Sequence, residues 1–267
     1  MNLYLITEDS PEGIFSGIYQ AYLLRRNMGD IHLTTKEPSQ QMLFAEYMTV
    51  ETKMDYAESV MRTIKKKMGE RMFSSIWEAA ISCDDRKADA IYRTVVLGLS
   101  GKTGYRTAEY LTQDYVRIVM ELSLSVVREY EHMQGFLRFE ELQNGYLYAL
   151  ISTKHDILSL LANHFSNRLR NEDFLIFDDK RSQCAIHRAR DGEDWIIMKE
   201  SKEVKQLAED IPLSQRESIY QDCFRQFVSS IAISERTNPI LQRNMLPLRF
   251  RPYMTEFDCK PETKEVP

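Results

Sequence analysis

The sequence predicts an α+β protein: an antiparallel sheet over about residues 136–199 with one helix packed on it, an N-terminal β-α-β unit, and a helical region between them. Three observations lead there. Apolar residues recur with period two near both ends of this span, they recur at helical spacing from about 50 to 131, and Gly, Asn and Pro stand where the period changes.

In chain order, "LYLIT" (3–7) is short, apolar and β-prone. Ser10-Pro11 then opens a helix in which Ile14, Ile18 and Tyr22 recur every four residues. Gly29 is expected to stop it, and "GDIHLTT" (29–35) closes the β-α-β unit as a second strand, without the Gly-rich turn of dinucleotide folds. In "MDYAESVMRTIKKKMG" the residues Met54, Ala57, Met61, Ile64 and Met68 form one stripe, and "ERMFSSIWEAAIS" and "KADAIYRTVVLGL" follow as further helices. The longest helix covers 113–134, with Val116, Val119, Met120, Ser123, Val127 and Tyr130 on its apolar face and Gly135 as its expected cap.

Beyond Gly135, "FLRFEEL" and "YLYALIS" flank Asn144-Gly145 and read as a hairpin. The helix "HDILSLLANHFSNRL", the strands "DFLIFD", "CAIHRA" and "DWIIMK", and a helix over 214–231 complete the pattern. Residues 235–257 fit neither period and carry Arg236, Arg243, Arg249 and Arg251 among Pro239, Pro247 and Pro252. The expected segments are 1–35, 36–135 and 136–267, and no clean linker separates them, so they are compatible with one interlocked domain.

The chain has 35 Lys+Arg against 40 Asp+Glu, a formal charge of −5. A polyanion must therefore meet a local basic face rather than a global field. Cys83, Cys184, Cys223 and Cys259 are scattered and read as reduced thiols. The N-terminus lacks a leader pattern and no apolar run approaches the ~20 residues of a membrane span, so the expected location is cytoplasmic.

Metal chemistry is tested first on His155, His164 and His187. Nine helical residues turn through about 900 degrees, which puts His155 and His164 on opposite faces unless His155 precedes the first turn. No HExxH or Cys/His cluster accompanies them, and no metal is expected. P-loop, GxSxG and CxxxCxxC patterns are also missing, so no cofactor is expected. His164 and Arg168 share a helix face and suit either a phosphate or the helix C-terminus. Thr153 and Asp156 fit a T-x-x-D capping box. Strand alternation sets Phe136, Arg138 and Glu140 on one face, a pattern that serves base stacking with phosphate contact or a half-buried strand with a solvated Arg. The basic run 62–71 reads as the wet side of a helix. In the strap, Ile240, Leu241, Met245, Leu246, Leu248 and Phe250 are expected to anchor it while its arginines face outward, where a planar guanidinium grips phosphate bidentately.

The strings "FLRFEELQNGYLYALISTKHDILSLLANHFSNRL" and "IPLSQRESIYQDCFRQFVSSIAISERTNPILQRNMLPLRFRPYMTEF" resemble a bacterial family of DNA metabolism or repair proteins. The family's domain is of unknown function, and it is typically encoded beside a radical-SAM protein assigned to DNA repair. Some members are fused to a uracil-DNA-glycosylase-superfamily domain, whose activity is not expected of this chain. The resemblance implies a setting in DNA maintenance and no reaction. The residues that match its most recognisable strings are Phe136, Arg138, His155, Asp156, His164, Arg168, Asn238, Pro239, Arg243, Pro247, Arg249, Met254 and Phe257.

The resulting expectation is a protein that binds DNA or a damaged nucleotide as accessory partner of a radical-SAM repair protein. Arg138, Arg168, Arg243, Arg249 and Arg251 would take phosphates, Phe136 would stack, and His164 would donate a proton if there is chemistry. One alternative is a hydrolase or lyase acting on a modified base with His155, Asp156 and His164. Another is a protein–protein adaptor in which the strap docks the radical-SAM partner.

Overall fold

The computed structural model describes residues 2–37, 43–192, 194–200, 202–233 and 236–257; Glu235 and Cys259 lie outside the described residues. The chain divides into two compact units, Met1–Glu129 with Lys154–Asp156, and Tyr130–Thr153 with Ile157–Pro267. The fold is α+β with an N-terminal β-α-β unit, as the periodicities require.

In the first unit, strand β1 (Asn2–Ile6), helix α1 (Pro11–Leu23) and strand β2 (Ile31–Thr34) form the β-α-β element, and β3 (Ala45–Thr49) adds a further strand. All pairings are parallel, in the order β2-β1-β3. Strand β3 has little sequence signal, because its side chains are half-buried or exposed and show no apolar alternation. Ser10 caps α1 by accepting the Gly13 N–H at 3.0 Å, with Pro11 in the first turn. Gly13 is required there because a Cβ would stand 2.5 Å from the Glu8 carbonyl oxygen. Gly29 is not the stop of this helix, which ends at Leu23; Gly29 lies in a separate 3-10 turn, Met28–Asp30.

Helices α2 (Met54–Met68), α3 (Glu70–Ala80), α4 (Lys87–Leu99) and the long α5 (Asp114–Phe136) follow. Ala57, Val60, Ile64 and Met68 bury the inner stripe of α2. Met54 is exposed, while Lys65, Lys66 and Lys67 form the solvated side expected of the basic run. The core joins Leu3, Leu5, Phe15, Ile64, Ile76 and Ile91. Helix α4 lies along β2, where the Asp89 carboxylate accepts the Leu33 N–H at 3.3 Å. A side chain thus satisfies a strand N–H that would otherwise invite pairing with another strand.

The second unit holds β4 (Glu140–Glu141), β5 (Leu147–Ile151), α6 (Leu158–Arg168), β6 (Phe174–Asp178), β7 (Gln183–His187), β8 (Trp195–Met198), α7 (Lys202–Glu209), α8 (Gln215–Ile231) and α9 (Pro239–Met245), then 3-10 turns at Leu248–Tyr253 and Thr255–Phe257. The sheet order is β4-β5-β6-β7-β8. It is mixed rather than antiparallel: β5 and β6 run parallel while the other pairs are antiparallel. The reason is α6, which connects β5 to β6 as a crossover, and a crossover delivers the next strand in the same direction.

Local corrections accompany this. Helix α5 runs through Gly135 to Phe136, and strand pairing begins only at Glu140, so Phe136 and Arg138 do not share a strand face. The Asn144-Gly145 turn forms as expected, with Gly145 at φ +86° and its N–H on the Leu142 carbonyl at 2.9 Å. Helix α6 starts at Leu158 without a side-chain cap, so Thr153 and Asp156 form no capping box. The strap is partly helical: Asn238 accepts the Leu241 N–H at 3.0 Å and Pro239 occupies the first turn of α9. Its buried anchors are Phe250 and Met254, whereas Ile240, Leu241, Met245 and Leu248 are exposed.

Leu161, Phe165, Phe174, Ile176 and Phe177 are buried in this unit, and α6 lies against β6, β7 and β8. Cys184 is buried and burial pushes its thiol up to about 12, so it stays protonated and unreactive at neutral pH. No described helix is long and apolar enough to cross a membrane.

Candidate functional site

His155 is buried and serves as a knot in the first unit. Its Nδ1 accepts the Cys83 N–H at 3.2 Å, which leaves the ring proton on Nε2 facing Ser125 Oγ at 3.0 Å. Its own backbone N–H donates to Glu129 Oε2 at 2.8 Å, and the neighbouring Lys154 N–H donates to Glu129 Oε1 at 2.9 Å. The Asp156 N–H goes to the Ile81 carbonyl at 3.0 Å. Residues 154–156 are therefore stitched onto α5 and the α3–α4 loop. Ser125 and Glu129, one turn apart on α5, were not legible as partners, because they read as ordinary polar positions beside an apolar stripe. Among the described residues no group of three or more His, Cys, Asp or Glu is placed to hold a metal ion.

His164 belongs to the second unit. Gln134 donates to its Nδ1 at 3.2 Å, so Nε2 carries the ring proton, and Tyr130 and Phe165 meet the ring edge-on. Burial, and then the charge of Arg168, hold its pKa below the ordinary imidazole value. The His164–Arg168 face anticipated from their spacing is therefore present as a repulsive pair, with the imidazole neutral near pH 7. The stability this gives is present above the ordinary pKa and is lost as pH falls through the lowered one. A proton NMR titration of the His164 ring is expected to show a midpoint below about 6.5, moving part of the way back in R168A. A midpoint insensitive to R168A would contradict the coupling.

The arginines differ in what they already touch. Arg138 forks onto Glu256 with contacts of 2.8 and 3.3 Å, and its third nitrogen donates to the Gly135 carbonyl at 2.7 Å. It closes the end of α5 and is neutralised there. Phe136 stacks on His132 and packs against Phe250, with ring centroids 5.5 Å apart in each case. Arg249 lies over the Phe250 ring at 4.6 Å. Arg168 and Arg243 are exposed and make no salt bridge among the described residues. Arg251 lies over Phe257 at 4.8 Å, and its Nε and Nη2 are buried without a hydrogen-bond partner among the described residues. The outward-facing array of five arginines is thus reduced: Arg138 is a structural ion pair. The buried edge of Arg251 carried no sequence signal, because its environment is made by residues that fold around it.

Fold and site together define a two-unit α+β protein whose second unit ends in an arginine-bearing helical strap. The family whose model matches, over residues 85–256, is described as a domain of unknown function, DUF4130, and the chain belongs to it. The match takes in every candidate arginine and leaves out β1, β2 and β3. No curated protein matches the chain.

Proposed function

We propose that the protein binds DNA or a damaged nucleotide through phosphate contacts of its second unit, as a binding accessory to a radical-SAM repair protein. The repair setting and the radical-SAM partner come from the sequence resemblance. The phosphate contact is supported chiefly by one observation, the Nε–Nη2 edge of Arg251, buried and unpaired among the described residues. A charged donor pair withdrawn from water without a partner is unfavourable by several kcal/mol or more, and that edge is the one that grips two oxygens of a phosphate at once. Arg168 and Arg243 add exposed charge with no salt bridge among the described residues, and Arg249 follows Arg243 in the strap.

The test is binding of a fluorescent oligonucleotide across a salt series. Each phosphate contact on duplex DNA adds about −0.9 to the slope of log K against log salt, so the R168A/R243A double variant is expected to flatten it by about 1.8. R251K is expected to weaken binding, because lysine keeps the charge and loses the fork. R138A is expected to leave the slope unchanged, since Glu256 already holds that guanidinium. Binding that is undetectable at low salt, or a slope indifferent to R168A/R243A, refutes the reading.

A further inference from the structure

Helix α8 turns a polar side inward. Gln221 is its buried residue, donating to Glu140 at 3.1 Å and Glu217 at 2.9 Å. One turn to either side, Glu217 accepts the Glu141 N–H at 3.1 Å and Arg225 reaches the Thr255 carbonyl at 3.3 Å. Beside this face runs an apolar stripe of Tyr220, Phe224, Phe227 and Ile231, each 37–60% exposed. Its spacing of four, three and four is the repeat of a helix-pairing seam, in which alternate side chains insert between those of a facing helix. A contiguous exposed row of this kind marks an interaction surface rather than scattered surface apolar residues.

We infer that α8 pairs antiparallel with α8 of a second copy of this chain, an inference that stands apart from the phosphate reading because it uses none of those arginines. The seam is its own complement. Reversing the helix sets Tyr220 opposite Ile231 and Phe224 opposite Phe227, so a two-fold axis between residues 225 and 226 fills both seams at once. The free edge of the seam carries Arg216, Cys223 and Ser230, so no row of like charges meets its own copy. Four side chains of roughly 200 Å², about half exposed, remove about 400 Å² per copy, half of the ~800 Å² that each partner contributes to a standard interface. The inference requires the flanking side chains and helix backbone to supply the rest.

Light scattering on the eluting full-length chain, with sedimentation equilibrium, tests this. The expected result is a dimer at micromolar concentration, with F227D and I231D each shifting the dimer dissociation constant by roughly tenfold or more. Because both side chains are exposed, circular dichroism and the melting temperature of the dissociated variants should show a folded chain; Y220E serves as a third variant if either fails to fold. A wild-type chain that remains monomeric at about 100 µM overturns the inference and leaves the seam to a different protein. A dimer that both aspartate variants leave intact overturns it as well.

Discussion

Replacing Glu129 by Ala is expected to lower the stability of the first unit by about 3–6 kcal/mol, the sum of two charge-assisted hydrogen bonds of roughly 1.5–3 kcal/mol each. Glu129 is only 2% exposed, and its two oxygens separately accept the N–H groups of Lys154 and His155. Truncation removes the acceptor of the buried His155 N–H and of the part-buried Lys154 N–H and loosens the segment that also positions the His155 ring between Cys83 and Ser125. Glu129→Gln is the informative control. The amide keeps the shape and one acceptor, so about half of the loss is expected. Chemical denaturation followed by tryptophan fluorescence reads the change, since Trp77 lies in this unit. Equal losses in both variants would mean that the two carboxylate oxygens act as a unit and that shape at this position contributes nothing.

The second large effect is expected at His187, which is fully buried in β7. Its ring stacks on Phe174 with centroids 4.7 Å apart, and its two nitrogens face the carbonyl oxygens of Glu172 and Gly192 at 2.9 and 2.8 Å. His187→Ala opens a cavity against Phe174 and removes the ring's N–H donation at this carbonyl pair, for an expected loss of about 3–4 kcal/mol. His187→Phe keeps the stacked ring and removes only the polar contacts, and is expected to lose about 1–2 kcal/mol. Unfolding of the second unit, followed through Trp195, separates the two contributions. Indistinguishable variants would assign the whole effect to the carbonyl contacts.

These two positions show where reading the chain alone stops. Strand alternation places His187 on the face of Gln183 and Ala185, away from Cys184 and Ile186, the smaller and more polar face, yet its side chain is fully buried. Alternation reports which side of a strand a residue occupies. It does not report that α6 and the loop around Gly192 cover that side. His155 lay in a candidate catalytic group with Asp156 and His164, and its nitrogens are instead spent on a loop amide and a serine some 72 and 30 residues away in sequence.

What the sequence determined by itself is local. The β-α-β start, the Ser10-Pro11 cap, the buried stripe of α2, the Asn144-Gly145 turn and the existence of the later strands follow from periodicity and from residues whose backbone preferences act over three or four positions. Tertiary structure alone decided the parallel pairing of β5 with β6, the continuation of α5 through Gly135, the capture of Arg138 by Glu256 and the isolation of the Arg251 edge. The physical reason is common to all four. Strand direction, helix length under packing and the partner of a guanidinium depend on groups brought together across long loops, such as the 118 residues between Arg138 and Glu256, and no local preference encodes which carboxylate will arrive.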